Sequence, residues 1–585
     1  MPAPSPPPTN RFVAAVFQQL ADLTEITGGN RFKVIAFQKV VRVIEDLPQQ
    51  VAAMDRQLLP KVEGIGAGTA QRIGELIDTG RIADLDALLA EVPPGLISVL
   101  DVPGLGPKTV AQLWQQAGVT SLEDLSAKLN TGELESLKGF GKKKIENLKN
   151  SLAFAASAGD RVRIGRAYRV ATTLMTALEG LPGVERIAYA GSLRRGRETI
   201  GDVDLLAAAD PSSAASIFDA FVAQQGVSEV LLRGDTKCSV RMDAGSSPLQ
   251  VDLRVVAPDS YGAALMYFTG SKEHNVKLRE RAQAKGMSLN EYALTREGER
   301  VAGATEEEVF AALGLAWVPP ELREDRGEVA LAEADDLPAL LSLDNVKAEL
   351  HSHTTASDGS WSIEENARGA AARGFHTVAI TDHSKGQAQA NGLSVERLLA
   401  HIEAVHAVAK KLCGTIHVLA GSEVDILADG SLDYPDEVLA QLDLVVASPH
   451  AALSQDPKKA TARLIKAIEN PYVSIVGHPT GRIINRREGL SPDMPAVMRA
   501  AADRGVALEI NANPYRLDLR DTHARLFVQE YGGKLAINTD AHGPGDLDHL
   551  RFGVGVARRA GATAADVVNC LDADALAAWI AATRP

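Results

Sequence analysis

Cysteine is nearly absent from this 585-residue chain, and the three present, Cys238, Cys413 and Cys570, match no disulfide or metal-ligand spacing. That excludes a disulfide-stapled secreted fold and fits a reducing compartment. Long apolar runs are also missing. No stretch approaches the roughly 20 residues that cross a bilayer, and the Pro-rich start MPAPSPPPTN lacks the basic and apolar pattern of a signal peptide. The expected location is the cytoplasm, with no membrane partner. A surplus of positive charge is missing as well: the net charge is −14, which at first sight argues against a polyanionic partner. Histidine is almost confined to the far end, with twelve of the thirteen beyond residue 350.

A chain of this length exceeds one hydrophobic core, so several domains are expected. The charge is unevenly spread: residues 1–300 hold 35 basic and 35 acidic side chains, residues 301–350 hold 3 and 12, and residues 351–585 hold 23 and 28. Within the neutral part, Lys138 to Arg169 carries nine basic residues against Glu146 and Asp160, a local positive stripe. Its bland reading is a solvated helix face.

Three segments upstream share a shape: VEGIGAGTAQRIGELI, DVPGLGPKTVAQLW and LKGFGKKKIENLKNSL. Each places a G-x-G turn (Gly64 and Gly66, Gly104 and Gly106, Gly139 and Gly141) before an amphipathic helix. Such a turn leaves backbone N–H groups free at a helix N-terminus, where a phosphate can sit. Lys108 and Lys142 to Lys144 add charge to two of them. Three helix-hairpin-helix patterns in one region point to binding of a DNA backbone.

After residue 165 strands alternate with helices. VERIAYAG, DVDLLAAA and LQVDLRVV read as strands, with helices near 166–179 and 212–224. A smaller mixed unit follows at 258–317. The acidic, Pro-punctuated stretch from residue 318 reads as a linker. Beyond it, the apolar runs AEL, TVAI, IHVLAG, LVVAS, VSIVG, VALEI and LAI, separated by helical stretches, suggest a parallel α/β barrel.

Two sites emerge. On a strand, residues two apart face the same way, so Asp202 and Asp204 of GDVDLL point together, and Asp252 lies on the polar face of PLQVDLRVV. If those strands are neighbours, three carboxylates converge and need cations between them. Two ions about 3.5–4 Å apart can activate an attacking hydroxyl and stabilise a leaving oxygen. The stretch GSLRRG before the acidic strand would offer Ser192 and Arg195 to the outer phosphates of a nucleotide.

The ordered set GSLRRG, GDVDLL, QVDLR, YFTGS and NEY makes residues 11–317 closely resemble the family X DNA polymerases. The resemblance implies a left-handed nucleotidyltransferase palm with Asp202, Asp204 and Asp252 as catalytic metal ligands for Mg²⁺ or Mn²⁺, and Asp252 as base for the primer 3′-hydroxyl. It also implies that Gly191, Ser192 and Arg195 bind the nucleotide, that Tyr267, Phe268 and Gly270 border its sugar, that Asn275 reaches the base edge, and that Arg279 contacts the template side. For Tyr267 and Phe268 the alternative is core packing. Where some family members carry a Schiff-base lysine for 5′-deoxyribose-phosphate removal, this sequence has Arg72, which stays protonated and forms no imine. Only Lys33, Lys39 or Lys61 could substitute.

The second site follows the barrel strands. ELHSHTTASDG gives His351, His353 and Asp358; AITDHS gives His383; LAGSEVD gives Glu423; VASPH gives His450; IVGHP gives His478; INTDAH gives Asp540 and His542. In a parallel barrel the C-terminal strand ends share one mouth. These nine residues resemble the polymerase and histidinol phosphatase (PHP) domain family, which implies a trinuclear site. His351, His353, Glu423 and Asp540 would hold one metal; Glu423 would bridge to a second held by His450 and His478; Asp358, His383 and His542 would hold the third. Mixed imidazole and carboxylate ligation suits Mn²⁺, Zn²⁺ or Fe²⁺. Arg482, in HPTGR, is either a phosphate clamp or a structural ion pair. His376, His401, His406, His417, His523 and His549 read as structural or exposed.

The expected fold class is multidomain α and α/β. It runs from a disordered tail (1–10) through a helical 8-kDa-like domain (11–88), a fingers-type DNA-binding domain (89–164), a palm (165–257), a thumb-like nucleotide-selection domain (258–317) and a linker (318–344) to a distorted (β/α)7 PHP barrel (345–585). Together the halves resemble the bacterial PolX type: a repair polymerase filling short gaps, fused to a 3′–5′ exonuclease, with cutting at abasic sites a further implication. Expected partners are primed or gapped DNA and deoxynucleoside triphosphates, and the chain is expected to be a monomer. The alternatives are a small-molecule phosphoesterase with a degenerate nucleotidyltransferase domain, and a non-catalytic DNA-end scaffold.

Overall fold

Apolar residues at helical spacing organise the N-terminal region. In the helix Asn10–Ile26, Val13, Phe17, Leu20 and Ala21 fall on one face and are all buried. The computed structural model describes residues 10–46, 51–62, 64–100, 102, 105–141, 144–146, 148–149, 152, 161–243 and 248–585. Of the expected tail, only Asn10 lies among them, and it opens the first helix. The chain divides into two compact units, residues 1–159 with 485–487 and residues 160–484 with 488–585.

The first unit is helical. Helices at Asn10–Ile26, Arg31–Asp46, Ala67–Thr79, Ala83–Glu91, Gly95–Leu100, Pro107–Ala117 and Leu122–Thr131 share one apolar core running from Val13 to Leu148. The two domains expected at 11–88 and 89–164 therefore have a common interior.

In the second unit the palm is a five-stranded sheet. Its order is Val184–Tyr189, Asp202–Ala209, Pro248–Val256, Lys237–Asp243, Val227–Arg233, and only the Asp202–Ala209 and Pro248–Val256 pair is parallel. Helices Ile164–Glu179 and Ala214–Val222 bury Leu174, Leu178, Ile217, Phe218 and Phe221 in the core that the sheet helps to form. The thumb has its own core, built on helices Tyr261–Thr269, Lys272–Ala284 and Glu306–Ala312 beside a three-stranded antiparallel sheet.

Residues 318–332 of the expected linker are packed and not solvated, whereas most positions from 333 to 345 are exposed. Val318, Leu322 and Ala332 complete the thumb core, and Arg323, fully buried, donates to both Glu306 oxygens at 2.7 and 3.1 Å. Several of the segment's acids meet partners from elsewhere: Glu321 pairs with Arg558 at 2.7 Å, and Glu328 with His274 at 2.7 Å. Composition reads these charges as solvated because their partners are remote in sequence.

The C-terminal region is a barrel of seven parallel strands in chain order: Ala348–Ser352, Thr377–Ile380, His417–Asp425, Leu444–Ser448, Ile475–Val476, Ala507–Asn511 and Leu535–Asn538. A parallel bridge between Ser352 and Ala541 joins the ends. Most strand positions are buried, as expected for parallel strands covered on both faces. Palm and barrel share one apolar core. At their junction Tyr168 meets Phe552 edge-on with centroids 5.7 Å apart, and Arg482 donates to Glu198 at 2.7 Å.

Candidate active sites

Register brings the palm carboxylates together. Asp204 lies directly opposite Asp252, and Asp202, two residues earlier, pairs with Gln250, so all three carboxylates project from one face within 4.8 Å of one another. Asp202 is exposed and Asp252 buried. The turn before the strand fits tightly: Gly191 has φ +61°, and a Cβ there would collide with Asp204 Oδ2, so only glycine closes this corner.

Burial, then the charges of Asp202 and Asp252, push the Asp204 carboxyl up to about 7. Asp252 moves the other way. Burial opposes its charge, but hydrogen bonds from Lys237 and Gln250 outweigh that and hold it below the usual range. Lys237 Nζ stands 2.5 Å from Asp252 Oδ2. Sequence reading missed Lys237; in Lys237–Asp243 it faces the same way as Ser239, which pairs with Asp252, and that antiparallel register is what a single sequence does not give.

The cleft above the carboxylates encloses ≈ 610 Å³. All eight expected nucleotide-binding positions line it: Gly191, Ser192, Arg195, Tyr267, Phe268, Gly270, Asn275 and Arg279. So do Arg161, Arg197, Lys272 and Glu324, which sequence reading did not select. Tyr267 and Phe268 stack edge-on, and Phe268 also lies under Arg254, so its ring serves packing as well as the cleft wall. Asn275 donates to the Tyr267 carbonyl at 2.7 Å, and its buried Oδ1 has no protein partner.

The barrel mouth gathers all nine expected residues. Three overlapping clusters have ligand atoms mutually within 4.8 Å: His351, His353, Glu423 and Asp540; His383, Glu423 and His450; and His353, Asp358, His383 and His542. His478 Nε2 lies 2.9 Å from Glu423 Oε1. The partition is looser than expected, since His353 and His383 each belong to two clusters. The residues fit metal ions. His351 Nε2, both ring nitrogens of His353, both oxygens of Glu423 and Asp540 Oδ1 are buried without a hydrogen-bond partner, a state that costs free energy unless a cation satisfies it. His478 and Asp540 also hold positive φ (25° and 52°), strain that clusters at functional positions.

A second layer aims these rings. Glu509 accepts from His351 Nδ1 at 2.7 Å and from the His478 backbone N–H at 2.6 Å, and Asp425 binds His450 Nδ1, so Nε2 of His351 and of His450 face the centre. Asp382, bonded to Thr354 and close to His401, braces the His383 loop. Against burial, Glu423 and Asp425 raise the His450 ring to about 9, while burial and its two imidazole neighbours His542 and His383 push His353 down to about 4. Glu509 was missed although it stands in VALEI, the one barrel run with no assigned ligand.

Arg482 is not in the mouth. It is buried, bonded to Glu198 and the Leu517 carbonyl, and so takes the structural role. Arg516 lines the ≈ 310 Å³ barrel pocket instead, with a buried Nη1 that has no protein partner. Of the remaining histidines, His376 bonds the Leu571 carbonyl and His406 is exposed.

In the helical unit, Gly66 and Gly106 are N-caps of the helices Ala67–Thr79 and Pro107–Ala117, and Gly64 and Gly139 have positive φ. Gly141 precedes the third helical stretch, where the Lys144 N–H donates to the Gly141 carbonyl at 2.9 Å. Lys108 is exposed, 3.7 Å from Glu25. Gly104 and Lys142 lie outside the described residues. Arg72 is occupied, donating to Asp84 at 3.0 Å and to the Gly68 carbonyl at 2.7 Å.

Family models agree with this anatomy. A helix-hairpin-helix domain matches residues 8–82, a SAM-like helix-hairpin-helix tandem 96–153, a DNA polymerase beta thumb 264–324 and a PHP domain 349–513. Over 559 residues the chain is 37% identical to the DNA polymerase/3′-5′ exonuclease PolX of Bacillus subtilis, covering 95% of this chain and 96% of that protein. The chain belongs to the PolX family. Other relatives match only part of the chain. DNA polymerase lambda of Rattus norvegicus is 27% identical over 51% of this chain and 53% of its own length, and a probable phosphatase of Thermoanaerobacter sp. is 32% identical over 38% of this chain and 89% of its own. The thumb match reaches residue 324, in keeping with the burial of Leu322 and Arg323. No helix among the described residues is long and apolar enough to cross a membrane.

Proposed function

We propose that this member of the PolX family fills short gaps during DNA repair with its palm and trims 3′ ends with its barrel. The observation that carries the proposal is two separate clusters of ligand-type residues, one carboxylate and one rich in imidazole, in a chain similar to PolX along nearly its whole length. Asp202, Asp204 and Asp252 are read as the polymerase ligands for Mg²⁺ or Mn²⁺, and the nine barrel residues as a trinuclear site taking Mn²⁺, with Zn²⁺ or Fe²⁺ as alternatives. Bound there, the ions would activate the attacking oxygen and offset phosphate charge at both sites.

The protein's own groups supply the rest. Ser192 and Arg195 grip the nucleotide phosphates, Asp252 takes the primer hydroxyl proton, and Lys237 must yield its contact with Asp252 for that to happen. Asn275, which lines the cleft, is read as reaching the base edge. In the barrel, Arg516 is read as the phosphate clamp. The glycine hairpins hold the DNA backbone. With Arg72 tied to Asp84, imine chemistry at that position is not part of the proposal. The chain is taken to act as a cytoplasmic monomer.

The test is a labelled primer on a gapped template with Mn²⁺, with and without nucleotides. Extension in one lane and shortening in the other is expected; neither would end the proposal and leave a DNA-end scaffold. A second reading, a small-molecule phosphoesterase, draws on the partial likeness of the chain to a probable phosphatase. Turnover of histidinol phosphate in place of DNA ends would favour it.

A further inference from the structure

The turn that lines the nucleotide cleft rests on a side chain of the barrel. Arg559, at the end of the helix Leu550–Arg559, is 3% exposed. Its Nη1 donates to the Arg195 carbonyl at 2.7 Å and to Glu324 Oε1 at 2.8 Å, and its Nη2 donates to Asp521 at 3.0 Å. A Cβ on Gly196 would stand 3.5 Å from Arg559 Cδ, so the turn lies flush on this side chain.

Glu324, which also lines the cleft, accepts from Arg195 Nε at 3.1 Å and approaches Arg197 at 3.5 Å, while Asp521 accepts from Arg326 at 3.1 Å. The charges alternate from the cleft into the barrel and back to the segment after the thumb: Arg195, Glu324, Arg559, Asp521, Arg326. Burial disfavours both carboxylates, but Arg559 leads the cations that hold Glu324 and Asp521 below the usual range. Arg195 is fixed at Nε by Glu324 and at Nη1 by the Thr269 carbonyl, which leaves Nη2 to the cleft.

We propose that Arg559 is a positioning residue for the incoming nucleotide: the barrel helix fixes the turn that presents Ser192 and Arg195, and keeps Glu324 from drawing Arg195 away from the phosphates. This rests on the reading of that turn as the phosphate grip. Without Arg559 the Arg195 carbonyl loses its donor, and among the described residues Glu324 has only Arg195 and Arg197 left to offset its charge. It would then compete with the triphosphate for the same cations.

Single-turnover extension on gapped DNA by the full chain, at varied nucleotide concentration, separates affinity from the rate of chemistry. Arg559→Ala is expected to weaken nucleotide affinity about tenfold while changing the saturated rate less than about threefold. Arg559→Lys keeps the charge but not the fork and is expected near a threefold loss of affinity. Exonuclease turnover close to the parent's in both variants shows that the barrel is intact.

Arg195→Ala controls the underlying reading. Weaker affinity there, with parental affinity in Arg559→Ala, overturns the inference alone; parental affinity in Arg195→Ala overturns the phosphate grip as well. Should Arg559→Ala also lose exonuclease activity, Arg559→Lys decides. Weaker affinity with intact exonuclease supports the role, and parental affinity overturns it.

Discussion

In the palm, three carboxylates meet on the face of two adjacent strands, with Asp202 in solvent and a wide cleft above. In the barrel, His351, His353 and Glu423 are wholly buried, and each expected ligand leans on another or on a second carboxylate behind it. The palm concentrates like charge and compensates it only in part: Lys237 pairs with Asp252, while the Asp204 carboxyl is raised. The barrel interleaves imidazoles with carboxylates and orients them beforehand. An open anionic face takes cations as its substrate brings them, because Mg²⁺ binds through a few carboxylates together with phosphates. A closed, braced cage keeps its own ions.

The contrast breaks first on separability. Asp204→Ala is expected to lower primer extension by at least about 10³-fold while leaving 3′ trimming near the parental rate, and His351→Ala to do the reverse. Equal loss of both activities from either change would falsify the idea of two sites. Next comes metal retention. After brief chelation and desalting, the barrel should keep bound metal by elemental analysis while the palm keeps none, a difference in affinity of at least about 100-fold. A metal-free barrel would erase the distinction.

The bracing can be tested alone. Glu509→Gln is expected to weaken barrel metal affinity about 10–100-fold and slow trimming, with extension unchanged. The smallest effect concerns the crowded charge at Asp204. With a folded pKa near 7 against 3.8 unfolded, Asp204 retains between those values a proton that the unfolded chain has released, so its contribution to stability falls as pH rises through that window. In metal-free buffer Asp204→Asn should therefore exceed the parent in denaturant stability by about 1–3 kcal/mol at pH 8, a gain that shrinks as pH falls towards 4. No gain at pH 8 would mean that the repulsion is relieved by other means.

Much of this was legible without coordinates, for reasons that differ by site. Asp202, Asp204 and the nine barrel positions could be read because a strand's two-residue period and the shared mouth of a parallel barrel turn short motifs into positions in space. Lys237 beside Asp252 and Glu509 behind His351 could not, since each depends on a pairing register or a neighbour 158 residues away. The stretch 318–332 misled for the same reason: acids whose partners, such as Arg558 and Arg559, lie over 200 residues downstream look solvated. Arg482 was ambiguous until Glu198, 284 residues distant, was seen to hold it.

The edge-on meeting of Tyr168 with Phe552 carries a practical lesson for dissecting the chain. Cutting between thumb and barrel would strip both fragments of an interior they own jointly and leave each with a sticky, water-exposed scar. A fragment that failed to copy or degrade DNA would then report damage and not division of labour. Single side-chain replacements in the intact chain are the cleaner instrument.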